Sequence, residues 1–219
     1  MDDIAHEKRR LLLSALFPFL FVCLIWLIKI FEIISGISLV QFGLYPLKPQ
    51  GLIGILTGPL IHGDWRHLFN NTFPVFFLTW GIFYFYHEVA WRVFILAYLI
   101  AQFWLWFFAR EAYHIGASSL IYSFGAFVFV SGIIRRNRNL LAISLLVAFL
   151  YGSMVWGIFP VDQRISWEGH LMGMIAGIVL AFYYKNYGPP IPGTIFDDEE
   201  DESDDESFFT EEWKEYETE

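Results

Sequence analysis

Charge is scarce in this chain: 17% of its 219 residues are Asp, Glu, Lys or Arg, against about 25% in an ordinary soluble domain. That deficit excludes a water-soluble globule of usual composition. Cysteine is scarcer still, and the lone Cys23 excludes both an internal disulfide and a cysteine-built metal cluster. Lysines and arginines form no dense stripe, so no nucleic-acid partner is expected. Neither a recurring period of roughly 20–50 residues nor symmetry between the halves is visible, which argues against solenoids and repeat-built transporters.

The chain is instead 56% hydrophobic and 20% aromatic. Its net charge of −9 hides two unlike parts: residues 197–219 hold 14 of the 23 acids and one lysine and contribute −13, so residues 1–196 carry +4. The acid run repels itself and is expected to be disordered. Phe209, Trp213 and Tyr216 beyond it have helical spacing, although a solvated tail is the simpler reading. The expected parts are a cytoplasmic N-terminal segment 1–10, a membrane domain 11–187 and an acidic tail 188–219.

Membrane spans can be read from charge-poor intervals, since about 20 residues rising ~1.5 Å each cross ~30 Å of hydrocarbon. Six are expected: the first is Leu11–Ile34, and the others lie inside the charge-free intervals Leu68–Tyr86, Val93–Ala109, Ala112–Ile134, Leu140–Val161 and the shorter Gly169–Tyr184. The first follows Lys8-Arg9-Arg10 as a signal peptide would, but its 24 residues exceed a signal's apolar region. It is read as a retained helix, with Lys29 and Glu32 reaching to the interface. The connection from Ser35 to His67 is expected to lie on the membrane surface. A cytoplasmic N-terminus puts Lys8, Arg9, Arg10, Arg92, Arg135, Arg136, Arg138 and Lys185 inside, against Lys48, Arg66, Arg110 and Arg164 outside, as the positive-inside rule prefers. The expectation is an all-α, multi-pass integral membrane protein of the cytoplasmic membrane, surrounded by lipid bilayer, with both termini cytoplasmic.

Polar side chains within spans are costly and so point to function. They gather at the starts of spans two, four and six: His62-Gly63-Asp64-Trp65-Arg66-His67 with Asn71, Gly116-Ala117-Ser118-Ser119, and Trp167-Glu168-Gly169-His170. Alternate spans run in the same direction, so these three starts share one leaflet. Residues three, four and seven apart share a helix face. His67 and Asn71 therefore lie together, as do Ser118 and Tyr122, and His170, Gly173 and Gly177. The glycines let two helices approach closely. A serine hydroxyl needs an adjacent base to attack at neutral pH, and His170 can serve Ser118 in that way. The N–H groups at the start of the fourth span, with His67 and Asn71 as side-chain donors, can stabilise an oxyanion. Glu168 is only two residues from His170 and should face elsewhere, leaving a Ser–His dyad.

Taken together these residues resemble a rhomboid, a family of intramembrane serine proteases. The pattern His-x4-His-x3-Asn is matched by His62, His67 and Asn71. Gly-x-Ser with a tyrosine four residues on is matched by Gly116, Ser118 and Tyr122, and a histidine followed by glycines at three and seven is matched by His170, Gly173 and Gly177. The resemblance implies a six-transmembrane-helix rhomboid-like bundle that cleaves transmembrane-helix protein substrates in a water-filled cavity open to the non-cytoplasmic side, without metal or cofactor. It implies Ser118 as nucleophile, His170 as base and Tyr122 packed on that imidazole. His67, Asn71 and the Ser118 amide would hold the oxyanion, with His62, Gly116 and Gly173 in support. Ser119 stands where many members have glycine, and its side chain could crowd substrate access. The Trp-Arg pair that members usually carry in the first long loop is not found; Trp65-Arg66 lies within the histidine motif instead.

Competing readings are a catalytically silent rhomboid-like protein that binds transmembrane helices, and a small transporter. A zinc site from His62, His67 and His170 fails on spacing. His114 is read as a solvated bystander.

Overall fold

A computed structural model describes residues 2–150, 156–162 and 164–190. The expected disorder beyond residue 190 lies outside the described residues. Met1–Pro189 forms one compact unit. Among the described residues it is built from α1 (Asp2–Ser35), the single turn α2 (Gly54–Thr57), α3 (Trp65–Phe85), α4 (Ala90–Phe108), α5 (Ser118–Ile134), α6 (Arg138–Leu150) and α7 (Trp167–Tyr183), with short 3₁₀ turns between them. An isolated antiparallel bridge, Leu44 to His114, is the one extended pairing among these residues.

Apolarity decides how the long helices are used. α1 is apolar on nearly every side, yet only 17% of its apolar stretch is buried, and Leu12, Leu13 and Phe19 stand more than half exposed. Such a helix cannot be the core of a soluble protein, whereas lipid would cover it without cost. α1 and α4 are long and apolar enough by themselves to cross a membrane. α3 is longer, at 21 residues, but less apolar, while α5 and α7, at 17 residues each, reach about 26 Å, so among the described residues length and apolarity together mark two crossing helices.

Several boundaries differ from the sequence reading. Residues 2–10 continue α1 without a break, and Arg10 donates to the Tyr84 carbonyl at 2.8 Å, supplying a cation to the C-terminal end of α3. Within the interval 112–134 residues 112–117 are not helical and α5 starts at Ser118, because backbone groups on the way to it are engaged elsewhere. His114 N–H and C=O exchange bonds with Leu44 at 2.8 and 3.0 Å, and Gly116 N–H donates to Gly58 at 2.9 Å. Residues 156–158 form a 3₁₀ turn, and Pro160 lacks the N–H that an α-helix through the end of the interval 140–161 would need. The connection after α1 was expected on the membrane surface. Its contacts run to α4 and to the segment before α5, through the Leu44 pairing, Tyr98 to the Leu56 carbonyl at 2.5 Å and Leu47 N–H to the Trp106 carbonyl at 3.2 Å.

α5 is the central helix, with Leu120, Phe124 and Val128 fully buried, and its most extensive partner is α7. The reason is local. A Cβ at Gly173 would overlap the Ser119 carbonyl, and one at Gly177 would overlap the Ser123 carbonyl, so only glycine allows the two backbones to meet at this distance. Gly169, the third small residue, faces the Ser166 hydroxyl and Leu105 instead. Gly173→Ala should therefore cost about 1–3 kcal/mol by overpacking and lower the melting temperature of detergent-solubilised protein more than Gly169→Ala does. Equal melting temperatures for the two variants would refute this account of the seam.

Candidate active site

Asp64 caps α3, its Oδ1 accepting the His67 N–H at 2.8 Å, a strong use of an aspartate at this position. That same bond holds the Asp64 carboxyl below its ordinary range. The cap fixes the first turn of α3, from which His67 and, one turn on, Asn71 project. Asn71 is buried, and its Nδ2 has no hydrogen-bond partner, so an amide donor is left unspent inside the protein, where an unmade bond is costly.

Gly116 faces these two residues with φ +103. That backbone suits glycine alone, and a Cβ here would press on the His67 ring at 2.5 Å and approach Asn71 Nδ2 at 3.5 Å. Two residues later Ser118 opens α5, where the first N–H groups have no intrahelical acceptor. Ser118 is half-buried. It borders a cavity of about 10 Å³ shared with Gln102, His114, Gly116, Ser119 and Ser166, close to the space one water needs.

From α7, His170 Nε2 lies 2.8 Å from Ser118 Oγ. Its Nδ1 is 2.9 Å from the Gly157 carbonyl. A carbonyl can only accept, so Nδ1 carries the proton and Nε2 presents a lone pair to the serine. The Tyr122 ring stacks on the imidazole with centroids 4.2 Å apart and planes at 12°. Gly157 must be glycine, since a Cβ would overlap the Tyr122 hydroxyl and crowd His170 Nδ1. Glu168 faces away, gripped by Arg110 through two 3.0 Å bonds, so the imidazole is oriented by a backbone carbonyl and not by a carboxylate.

The structure thus brings Ser118, His170 and Tyr122 into direct contact and sets His67 and Asn71 against Gly116. His62 is nearly inaccessible. Its Nε2 lies 3.4 Å from the Ala117 N–H, and its ring meets that of His67 edge-on at 5.0 Å, so it supports the segment leading to Ser118.

Two expectations need correction, those for His114 and Lys29. His114 is not solvated: it is 3% exposed, and its ring bonds Ser166 Oγ at 2.6 Å and the Arg110 carbonyl at 3.1 Å. Burial pulls its imidazole below the ordinary histidine value. Ser119 turns its hydroxyl to α4, where it accepts from Gln102 Nε2 at 2.6 Å. Lys29 does not reach outward; it is buried and bonded within the protein. Gln102 itself was overlooked, although a lone amide within the apolar α4 is a signal of this kind. Among the described residues no group of three or more His, Cys, Asp or Glu side chains could hold a metal ion.

A helical bundle with a serine–imidazole pair at a half-buried helix start is what the fold and site define. The Rhomboid domain model matches residues 49–187, which contain every residue of this site. Relatives include the uncharacterized protein Rv1337 of Mycobacterium tuberculosis, 34% identical over 176 residues, covering 74% of this chain and 71% of that protein. The uncharacterized protein ML1171 of Mycobacterium leprae is 32% identical over 184 residues, covering 74% of this chain and 68% of that protein. The chain belongs to the Rhomboid domain family, whose members are integral membrane proteins, and the two long apolar helices fit that setting.

Proposed function

We propose that this chain is an intramembrane serine protease that hydrolyses peptide bonds in or near transmembrane helices of other membrane proteins. The observation that carries the reading is the 2.8 Å separation of Ser118 Oγ and His170 Nε2, with Nδ1 held by Gly157. Ser118 Oγ attacks the substrate carbonyl carbon while its proton passes to Nε2, and the carbonyl electron pair moves onto oxygen. Asn71 Nδ2, His67 and the Ser118 N–H receive that oxyanion. Collapse breaks the C–N bond as the imidazolium returns the proton to the departing amine. A water activated by the same Nε2 then releases the acyl chain from Ser118. His62, Gly116, Tyr122 and Gly173 hold these groups in place.

In this reading residues 11–187 cross the bilayer six times, both termini are cytoplasmic, and α3, α5 and α7 begin in the outer leaflet. An apolar cavity of about 540 Å³ between α3 and α6, lined by Phe73, Phe77, Leu146 and Val147 among others, offers a surface against which a substrate helix can lie. No cofactor takes part.

The test is to reconstitute the purified chain in liposomes with a reporter transmembrane protein and to map the products by mass spectrometry. Cleavage within or beside the reporter's membrane segment is expected. Stable capture of the reporter without any new terminus would favour the silent, helix-binding reading instead.

A further inference from the structure

Lys29 lies on α1, outside the residues that the family model matches, and the reaction above gives it no task. It is 5% exposed, an expensive position for an ammonium unless its donors are met. Three acceptors meet its three N–H groups: Glu32 Oε2 at 2.6 Å, the His62 carbonyl at 2.9 Å and the Gly63 carbonyl at 3.0 Å. Glu32 Oε1 in turn accepts the Leu39 N–H at 2.9 Å. One ion pair on α1 therefore holds both ends of the connection between α1 and α3. The far end is the one that matters for chemistry, because Asp64, the cap of α3, follows Gly63 directly and His67 lies three residues further on. One turn earlier on α1, Trp26 Nε1 donates to Thr72 Oγ1 at 3.0 Å, beside Asn71, so α1 grips α3 at both of its oxyanion-facing turns.

We infer that Lys29, paired with Glu32, is a positioning residue that acts through the His62 and Gly63 carbonyls to hold His67 and Asn71 at the oxyanion position. The inference rests on the proteolytic reading. An apolar pair of similar volume would fill the same space and cost no desolvation. What the ammonium adds is a directed hold on two carbonyls, which fixes where α3 begins.

The experiment compares wild type, Lys29→Met and the double variant Lys29→Met/Glu32→Leu in liposomes, the last leaving no unpaired buried charge should Lys29→Met alone fail to fold. Turnover of the reporter and amide hydrogen exchange are both measured. Expected are a fall in kcat of roughly tenfold to a hundredfold with KM little changed, and faster exchange confined to residues 62–71. In a His67→Ala/Asn71→Ala background, Lys29→Met should add little further loss, since it acts through those two donors. Unchanged exchange over 62–71 in the variants, or the full loss of kcat repeated in the His67→Ala/Asn71→Ala background, would overturn the inference. Failure of the wild-type chain itself to cut the reporter would overturn the proteolytic reading, and the exchange comparison would then decide the tether by itself.

Discussion

Ser118→Ala and His170→Ala are each expected to reduce cleavage of a reporter transmembrane protein by roughly 10⁴-fold or more, to background, while the protein still accumulates in the membrane. The two losses are not additive, because one proton moves between Oγ and Nε2 and removal of either group ends the same step. The double variant should be no slower than the single ones. Ser118→Ala removes only a hydroxyl, and the α5–α7 seam is held by Gly173 and Gly177 against backbone carbonyls, so packing should survive. Persistence of turnover in either single variant, measured with purified protein, would remove that residue from the chemistry.

The second large effect belongs to Asn71. Its Nδ2 is buried without a partner, an arrangement that wastes a donor in the resting protein and becomes favourable only when negative charge develops nearby. Removing one such donor typically costs about 10²- to 10³-fold in kcat, and Asn71→Ala should fall in that range with KM nearly unchanged, since the bond strengthens only in the transition state. Asn71→Ala also removes an unsatisfied group from the interior, so the melting temperature should hold or rise. A variant that loses stability while keeping its kcat would show that Asn71 is a packing residue. The proposed mechanism lets His67 share the oxyanion, so Asn71→Ala should retain measurable activity where Ser118→Ala does not.

How much of this could be read in advance depends on where the information resides. The meeting of Ser118 with His170 was legible because it follows from counting: alternate helices run the same way, and each polar residue sits near a helix start, so errors of two or three residues in a boundary leave the leaflet unchanged. The glycines of α7 were legible for a similar reason, since a period of four on one face needs no knowledge of the partner. The Gly157 carbonyl that orients His170 was not legible. Every residue carries a carbonyl, and which one turns toward an imidazole is settled by the 3₁₀ turn after α6, where no side chain announces it. What ends the loop before α5 was not legible for an allied reason: residues 112–117 are apolar enough for a helix, but backbone groups among them are taken by Leu44 and Gly58.

Lys29 marks a different limit. A lysine near the end of an apolar helix can extend to the interface or turn inward, and the choice depends on acceptors supplied from the distant residues His62 and Gly63. The same holds for Ser119, whose hydroxyl has a partner only because Gln102 lies on the neighbouring helix. Local pattern singled out Ser118 and His170, which the structure brings within 2.8 Å; the contacts around them came from residues remote in the chain.

The most direct measurement is labelling of the membrane-embedded protein with a fluorophosphonate, followed by mass mapping of the adduct. A phosphonyl group on Ser118 is expected, absent from Ser119, with its formation abolished by His170→Ala and slowed by Asn71→Ala. An unmodified Ser118 in protein that cleaves its reporter, or labelling at full rate without His170, would contradict the account.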